Sequence, residues 1–250
     1  MEIFIFILGL CVGSFVNMLV YRTAGKYGLI KRADTGVRPY NKDRSFCDFC
    51  GRQLNWFDNI PVISWLWLKG KSRCCGKKLP LSYPIVEVLM GVLFLINQNN
   101  WLGMVVITLL IFSAVFDLKY MILPDFSSYI LIGAACLPLL FKDNWQQYLL
   151  AGLVSYVFFW LLAKIKIKGK QAMGEGDAPL AAFIGLWLGW PLALVAFYIA
   201  FIIGAIVGGG MLLTKKLRGD SPIPFGPFLI LGVMMAWWVG PSIIKLLLYN

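Results

Sequence analysis

The chain has no histidine among its 250 residues. That absence excludes a Ser-His-Asp triad, a Cys-His pair and an H-E-x-x-H metalloprotease within this polypeptide. Charge is also scarce, at 14% of residues, and acids are the rarer sign: 12 Asp and Glu stand against 23 Lys and Arg. If the protein is an enzyme, its acid and base must be sought first among a short list of carboxylates. A basic amino-terminal region is missing as well. The first apolar segment starts at Ile3 and continues into "NMLVYR" rather than a small-residue cleavage site, so the segment is expected to stay as a membrane span.

What is abundant is apolar. Sixty per cent of residues are hydrophobic and the mean hydropathy is +0.76, well outside the range of a soluble domain. Runs such as "LALVAFYIAFIIGAIVGGGMLL" are apolar on every face, which fits helices and not the alternating strands of a membrane barrel. The reading is an all-α polytopic membrane protein with about eight transmembrane helices, near 3–21, 81–98, 101–118, 126–141, 145–164, 177–190, 191–213 and 225–247. The sixth is short for a full span and is parted from the seventh only by "GWPL", so the two read as a tight hairpin, with seven spans as the alternative. Three parts follow: a first helix at 1–21, a Cys-containing insertion at 22–80, and a membrane domain at 81–250.

Basic residues choose the orientation. Segment 22–80 carries 13 Lys and Arg, Lys119 adds one, 164–170 four and 215–218 three, so 21 of 23 fall on one face in the eight-span arrangement. That face is expected to be cytoplasmic, with the amino terminus outside and the Cys-containing domain inside. Seven spans would put the 164–170 and 215–218 clusters on opposite faces. The net charge of +11 follows the membrane face rather than an aromatic-interleaved groove, so anionic lipid is the expected counterpart and nucleic acid is not.

The insertion places Cys47 and Cys50 in "CDFCG", the C-x-x-C-Gly form of a zinc knuckle, and follows with Cys74 and Cys75 in "RCCGKK". Adjacent cysteines point in different directions and do not easily reach one tetrahedral ion together. Structural zinc on Cys47, Cys50, Cys74 and Cys75 is one reading; unliganded or redox-active cysteines are the other.

Among the acids, Asp125 follows Pro124 and reads as a helix N-cap, Glu175 as a loop acid facing water, and Asp220 as a turn acid. Glu87 in "YPIVEVLMG" is either a packed, hydrogen-bonded carboxyl or a shaping residue of a site. Asp117 and Asp177 differ from these. The third span ends near Asp117 and the sixth begins near Asp177, which sets both carboxylates at one depth by the cytoplasmic interface. Two neighbouring carboxylates share a proton, so one serves as base toward water and the other as acid. The amino-terminal end of a helix favours the charged form of Asp177 and the carboxyl end favours a protonated Asp117, unless Lys119 reverses the order.

The ordered segments "GLCVGSFVNMLVYR", "CDFC" with "NWFDNIPVISWL", "SYPIVE", "FDLKYMILPD" and "MGEGDAPLAAFIGLWLGW" resemble the type IV prepilin peptidases, membrane aspartyl proteases of the G-x-G-D class. The resemblance covers nearly the whole chain. It implies that Asp117 and Asp177 are the catalytic pair, with Gly174 and Gly176 shaping the approach to Asp177. It further implies a bacterial inner-membrane location and prepilin or pseudopilin substrates, whose short basic leader is cut from a hydrophobic helix on the cytoplasmic side. Family members with the amino-terminal domain also methylate the new amino terminus from S-adenosylmethionine; this chain has the domain but departs from its paired C-x-x-C spacing. Gly13, Ser14, Phe15 and Asn17 match the family's first motif and also suit close helix packing. Acids at Asp43, Asp48 and Asp58 are candidates to receive a basic leader. Alternatives are a peptidase without methyltransfer, a proton-coupled transporter and a noncatalytic assembly scaffold.

Overall fold

A computed structural model describes residues 1–29, 45–47, 49–167, 170–171, 173–214, 223–240 and 242. Asp43, Asp48, Asp220, the 215–218 basic cluster and the end of the 225–247 span lie outside the described residues. The regular secondary structure of the described residues is helical apart from a two-residue antiparallel pair, β1 (Lys166–Ile167) with β2 (Lys170–Gln171), and two isolated bridges in the insertion.

Among the described residues, eight apolar helices overlap the eight expected spans, the last of them only in part. Four are long and apolar enough to cross a membrane: α1 (Glu2–Lys26), α4 (Trp101–Tyr120), α6 (Trp145–Lys164) and α8 (Leu192–Leu213). Four are shorter: α3 (Ser82–Ile96), α5 (Asp125–Leu139), α7 (Asp177–Leu188) and α9 (Gly226–Trp238). The insertion adds a 3₁₀ turn at Trp56–Asn59 and a short α2 (Ile63–Trp67) that hydropathy gave no reason to expect.

The chain divides into two units, Met1–Phe112 and Ser113–Asn250, and the boundary falls inside α4. In the first unit α1 packs on α3 at backbone distance. A Cβ on Gly9 would stand 2.6 Å from the Met90 carbonyl, and one on Gly13 would stand 2.7 Å from the Glu87 Cα. The small residues four apart on α1 thus form the seam, as in small-xxx-small membrane contacts. Helix α1 also runs on past residue 21 to Lys26, because nothing breaks it before Gly28, whose φ of +68° turns the chain away.

In the second unit α7 is the hub, touching α5, α6, α8 and α9. Its 12 residues are buried on almost every side, down to Phe183 and Ile184 at 0% exposure. A helix of that length is about 18 Å long, well short of the roughly 30 Å hydrocarbon layer. Apolarity on every face here reflects enclosure by protein. Gly189, at φ +67°, ends α7, and Trp190 and Pro191 lead directly into α8, forming the tight hairpin expected from "GWPL".

Asp125 is not the N-cap expected from its sequence. Pro124 holds that position in extended geometry, Asp125 is the first helical residue, and it makes no capping hydrogen bond. The Ser127 hydroxyl, one turn in, instead donates to the Pro124 carbonyl at 2.7 Å and meets the Ser113 hydroxyl of α4 at 2.9 Å.

Candidate active site

Asp117 lies in the last turn of α4 and Asp177 opens α7, so helix ends deliver both carboxyl groups. Each residue is 4% exposed. The two are within electrostatic reach of one another, and Leu123 fills the space beside them. A Cβ on Gly226 would stand 2.7 Å from the Asp117 Oδ2 and 3.0 Å from Leu123, while a Cβ on Gly176 would stand 2.9 Å from the Leu123 Cβ. One contiguous set of atoms therefore runs from Asp117 through Leu123 to the turn that carries Asp177.

The glycines act by size. Gly176 caps α7 with ordinary helical angles (φ −68°, ψ −17°), so any residue could adopt its conformation, yet Leu123 leaves no room for a side chain. A Cβ on Gly174 would lie 3.3 Å from the Asp177 Oδ2, and the Gly174 carbonyl accepts the Asp177 N–H at 3.2 Å. Glu175 is exposed, as expected for a loop acid, and stands 3.5 Å from Lys164.

Sequence reasoning missed Gly226. Its N–H donates to the Asp117 Oδ2 at 3.0 Å, in a buried bond across 109 residues, and it is the first residue of α9. The positive end of that helix therefore faces a carboxylate. "PFGPF" did carry a helix-start signal in its proline, but nothing local says which acid the glycine will meet. Phe225 anchors the approach by packing on Phe201 at 5.2 Å, centroid to centroid. Where α4 ends, Met121 takes a positive φ of 56° and donates to the Asp117 carbonyl at 2.7 Å, turning the chain toward Leu123.

Glu87 belongs to the first unit. It is buried, and its Oε2 accepts the Val62 N–H at 2.7 Å, with Ser14 as a further hydrogen-bond partner. Asp58, a candidate for receiving a basic leader, pairs with Arg73 at 2.8 Å and accepts the Asn55 N–H at 3.1 Å.

The insertion gathers its four cysteines, with their sulfurs all within 4.8 Å of one another. Cys47 and Cys75 are 3.8 Å apart and Cys50 and Cys74 3.1 Å apart. A zinc ion with bonds of about 2.3 Å sets tetrahedral sulfur–sulfur edges near 3.8 Å, so the Cys₄ donor set fits zinc.

The sequence gave reason to doubt that adjacent cysteines could both reach, and the backbone explains how they do. In the first loop Phe46 bridges Gln53, the Cys47 N–H meets the Arg52 carbonyl, and the Gly51 N–H meets the Cys47 carbonyl, with Gly51 at φ +67°. In the second, Lys71 bridges Lys78, the Ser72 N–H meets the Lys77 carbonyl, and the Gly76 N–H meets the Ser72 carbonyl, with Gly76 at φ +68°. The loops are thus two copies of one knuckle, in which Ser72 occupies the place of Cys47 and Cys75 that of Cys50. Cys74 reaches in from the turn, one residue before Cys75.

Burial works against the Cys47 thiolate, but hydrogen bonds from Ser72 and from the backbone at Phe49 and Cys50 bring its pKa down to about 7. Burial and the neighbouring sulfurs push Cys74 up to about 12. Such a cluster ionises fully only around a cation.

Residues 7–101 match the bacterial peptidase A24 N-terminal domain, and residues 104–209 match the type IV leader peptidase family. Among similar proteins, the prepilin leader peptidase/N-methyltransferase of Aeromonas hydrophila is 31% identical, over 98% of this chain and 93% of its own length. Proteins of the same name from Bacillus subtilis (33% identical; 96% of this chain, 95% of that one) and Pectobacterium carotovorum subsp. carotovorum (33%; 90% and 88%) are similar over comparable lengths. No solved structure matches the chain. With identity at this level sustained over nearly the full length of both partners, and both parts of the chain matched in order, the chain belongs to the type IV leader peptidase family.

Proposed function

We propose that the chain is an inner-membrane aspartyl endopeptidase that removes the basic leader of prepilins or pseudopilins, with Asp117 and Asp177 as its catalytic pair, and that it then methylates the new amino terminus. The observation that supports the peptidase reading is that two buried carboxyl groups, each on a helix end, lie within electrostatic reach of one another, with the Gly226 N–H donating to one of them. Burial in a shared site keeps the pair from ionising together. The ionised member takes a proton from water as the oxygen attacks the scissile carbonyl carbon. The protonated member donates to the carbonyl oxygen; collapse of the tetrahedral adduct then breaks the C–N bond as the first carboxyl returns its proton to the departing nitrogen and the second takes back a hydroxyl proton, which restores the starting pair. Gly226 acts as a positioning residue, holding the Asp117 Oδ2 in one orientation.

The proposed topology is eight spans, with the amino terminus outside and the basic loops against anionic lipid at the cytoplasmic face. In this arrangement 1–21 is the first span, 22–80 the cytoplasmic Cys-containing domain and 81–250 the peptidase domain, and both aspartates face the side from which a leader arrives. Cys47, Cys50, Cys74 and Cys75 would hold a structural zinc that closes the two knuckles. S-adenosylmethionine, when bound, supplies the electrophilic methyl group that the freed amine takes up. Relatives named for both activities favour this reading over cleavage alone or transport.

The test is cleavage of a purified prepilin by the wild type beside Asp117→Asn and Asp177→Asn, with S-adenosylmethionine present and product mass recorded. Loss of cleavage in both folded variants, with about 14 Da added to the wild-type product for one methyl in place of hydrogen, supports the proposal. Cleavage by either variant at the wild-type rate sinks the paired-carboxylate mechanism.

A further inference from the structure

The stretch from Ser113 to Ser127 carries the chain out of α4, past Asp117 and into α5, and it is tied down twice. At Asp117 itself the carbonyl accepts the Met121 N–H at 2.7 Å, which closes the end of α4. Farther on, the Ser113 and Ser127 hydroxyls, both 0% exposed, stand 2.9 Å apart, and the Ser127 hydroxyl donates to the Pro124 carbonyl at 2.7 Å. Proton count sets the direction of that chain. Ser127 has a single hydroxyl hydrogen and gives it to Pro124, so Ser113 must donate to Ser127. Ser113 lies one turn before Asp117 on the same face of α4. The first turn of α5 is therefore pinned to α4 close to the residue that carries the carboxyl.

Between the two ties stands Leu123, 8% exposed. Its base and its tip meet different partners. A Cβ on Gly176 would stand 2.9 Å from the Leu123 Cβ and 3.3 Å from its carbonyl oxygen, whereas a Cβ on Gly226 would stand 3.0 and 3.1 Å from the two Leu123 Cδ atoms. The side chain thus reaches from the residue before Asp177 to the residue whose N–H holds the Asp117 Oδ2. Helices α7 and α9, which begin at these places, abut one leucine, and the loop that presents this leucine also carries Asp117. Neither glycine has a side chain to take up slack. In a close-packed interior the bulk of the leucine then decides how near the two helix starts come to each other.

We propose that Leu123 is a positioning residue of the peptidase reaction: a spacer, held in place by the Ser113–Ser127 bond, that sets the separation of the Asp117 and Asp177 carboxyl groups. This rests on the paired-carboxylate reading. Leu123 has no polar side-chain atom and moves no proton; it acts by volume alone. Truncation to alanine removes the tip against Gly226 and leaves the base against Gly176. The start of α9, with the Asp117 Oδ2 bonded to it, then loses its stop while the turn before Asp177 keeps its own.

The experiment uses the full chain in lipid nanodiscs and a purified prepilin. Wild type is set beside Leu123→Ala, Leu123→Met, the double variant Ser113→Ala/Ser127→Ala, and Asp117→Asn, with kcat per folded molecule, KM and melting temperature recorded for each. In Leu123→Ala, kcat is expected to fall about thirtyfold with KM within about twofold, because a displacement of about 1 Å costs up to about 100-fold in rate. Leu123→Met nearly conserves volume and should recover kcat to within about threefold of wild type. The double serine variant removes both partners of one bond, which is nearly neutral for stability, and the Pro124 carbonyl keeps the backbone N–H of residue 127 at 3.0 Å. Its kcat should drop about fivefold while its melting temperature stays within about 2 °C. A Leu123→Ala variant that melts earlier but cuts at the wild-type kcat, or whose loss lies wholly in KM, overturns the proposal, as does a methionine variant no better than alanine. If Leu123→Ala does not fold, wild-type kcat in the double serine variant overturns it instead. Asp117→Asn separates the two levels: wild-type cleavage there breaks the paired-carboxylate reading, whereas an inert Asp117→Asn beside a fully active Leu123→Ala removes the spacer alone.

Discussion

The protein's two chemically loaded centres are assembled in opposite ways. The carboxyl pair comes from the ends of long-range helices in the second unit, where burial by apolar neighbours sets the environment and one backbone N–H sets the orientation. The cysteine cluster comes from two small loops in the first unit, where hydrogen-bonded turns place each sulfur and little apolar packing helps. A helix-built centre depends on the whole unit folding; a loop-built centre depends on its own turns and on the zinc proposed to join them. Perturbing each centre should therefore fail differently.

The largest expected effect is at the carboxyl pair. Asp117→Asn and Asp177→Asn should each lower prepilin cleavage by about 10³-fold or more, as loss of a general acid or base does, with secondary structure by circular dichroism unchanged. Next, Cys50→Ser should weaken zinc binding by about 100-fold, read by competition with a chromophoric chelator. It should also expose the insertion to limited protease while the helices stay resistant. If stripping zinc unfolded the helical part as well, the contrast between the centres would collapse.

Gly226→Ala should reduce cleavage by roughly tens of fold, because its methyl group would press on the Asp117 Oδ2 and shift the carboxylate by a few tenths of an ångström. Zinc affinity should not move. The sharper probe of the other centre is Ser72→Cys, which restores C-x-x-C register to the second knuckle. It should raise zinc affinity by about tenfold and make Cys74→Ser harmless in that background, whereas Cys74→Ser alone weakens binding. Least of all, Lys164→Ala should change cleavage by less than about twofold, since its contact with Glu175 is exposed and 3.5 Å long.

The helices and both aspartates were legible because apolar runs and rare acids are local signals. Asp117 and Asp177 stood out as carboxylates at span ends, before any partner was known. Gly226 was not legible: its role rests on a bond across 109 residues, and a glycine before a proline looks the same whether it faces a carboxylate or solvent. Nor was the function of Ser72. Its equivalence to Cys47 lies in the matching hydrogen bonds of two loops, while the sequence shows only an irregular pair of cysteines. Asp125 misled in a simpler way, since an acid after proline resembles a cap and only backbone angles reveal that Pro124 already fills that place. The short α7 read as an incomplete span, and enclosure by four neighbouring helices explains it.

The bond from Gly226 to Asp117 also has a genetic side. Its donor belongs to the main chain, so no exchange of side chain deletes it, and only proline at 226 would remove the hydrogen. Every other replacement keeps the donor and adds bulk against the acceptor. A mutational screen would therefore record position 226 as a limit on volume, graded from alanine upward, and would give no sign that a hydrogen bond is what the limit protects.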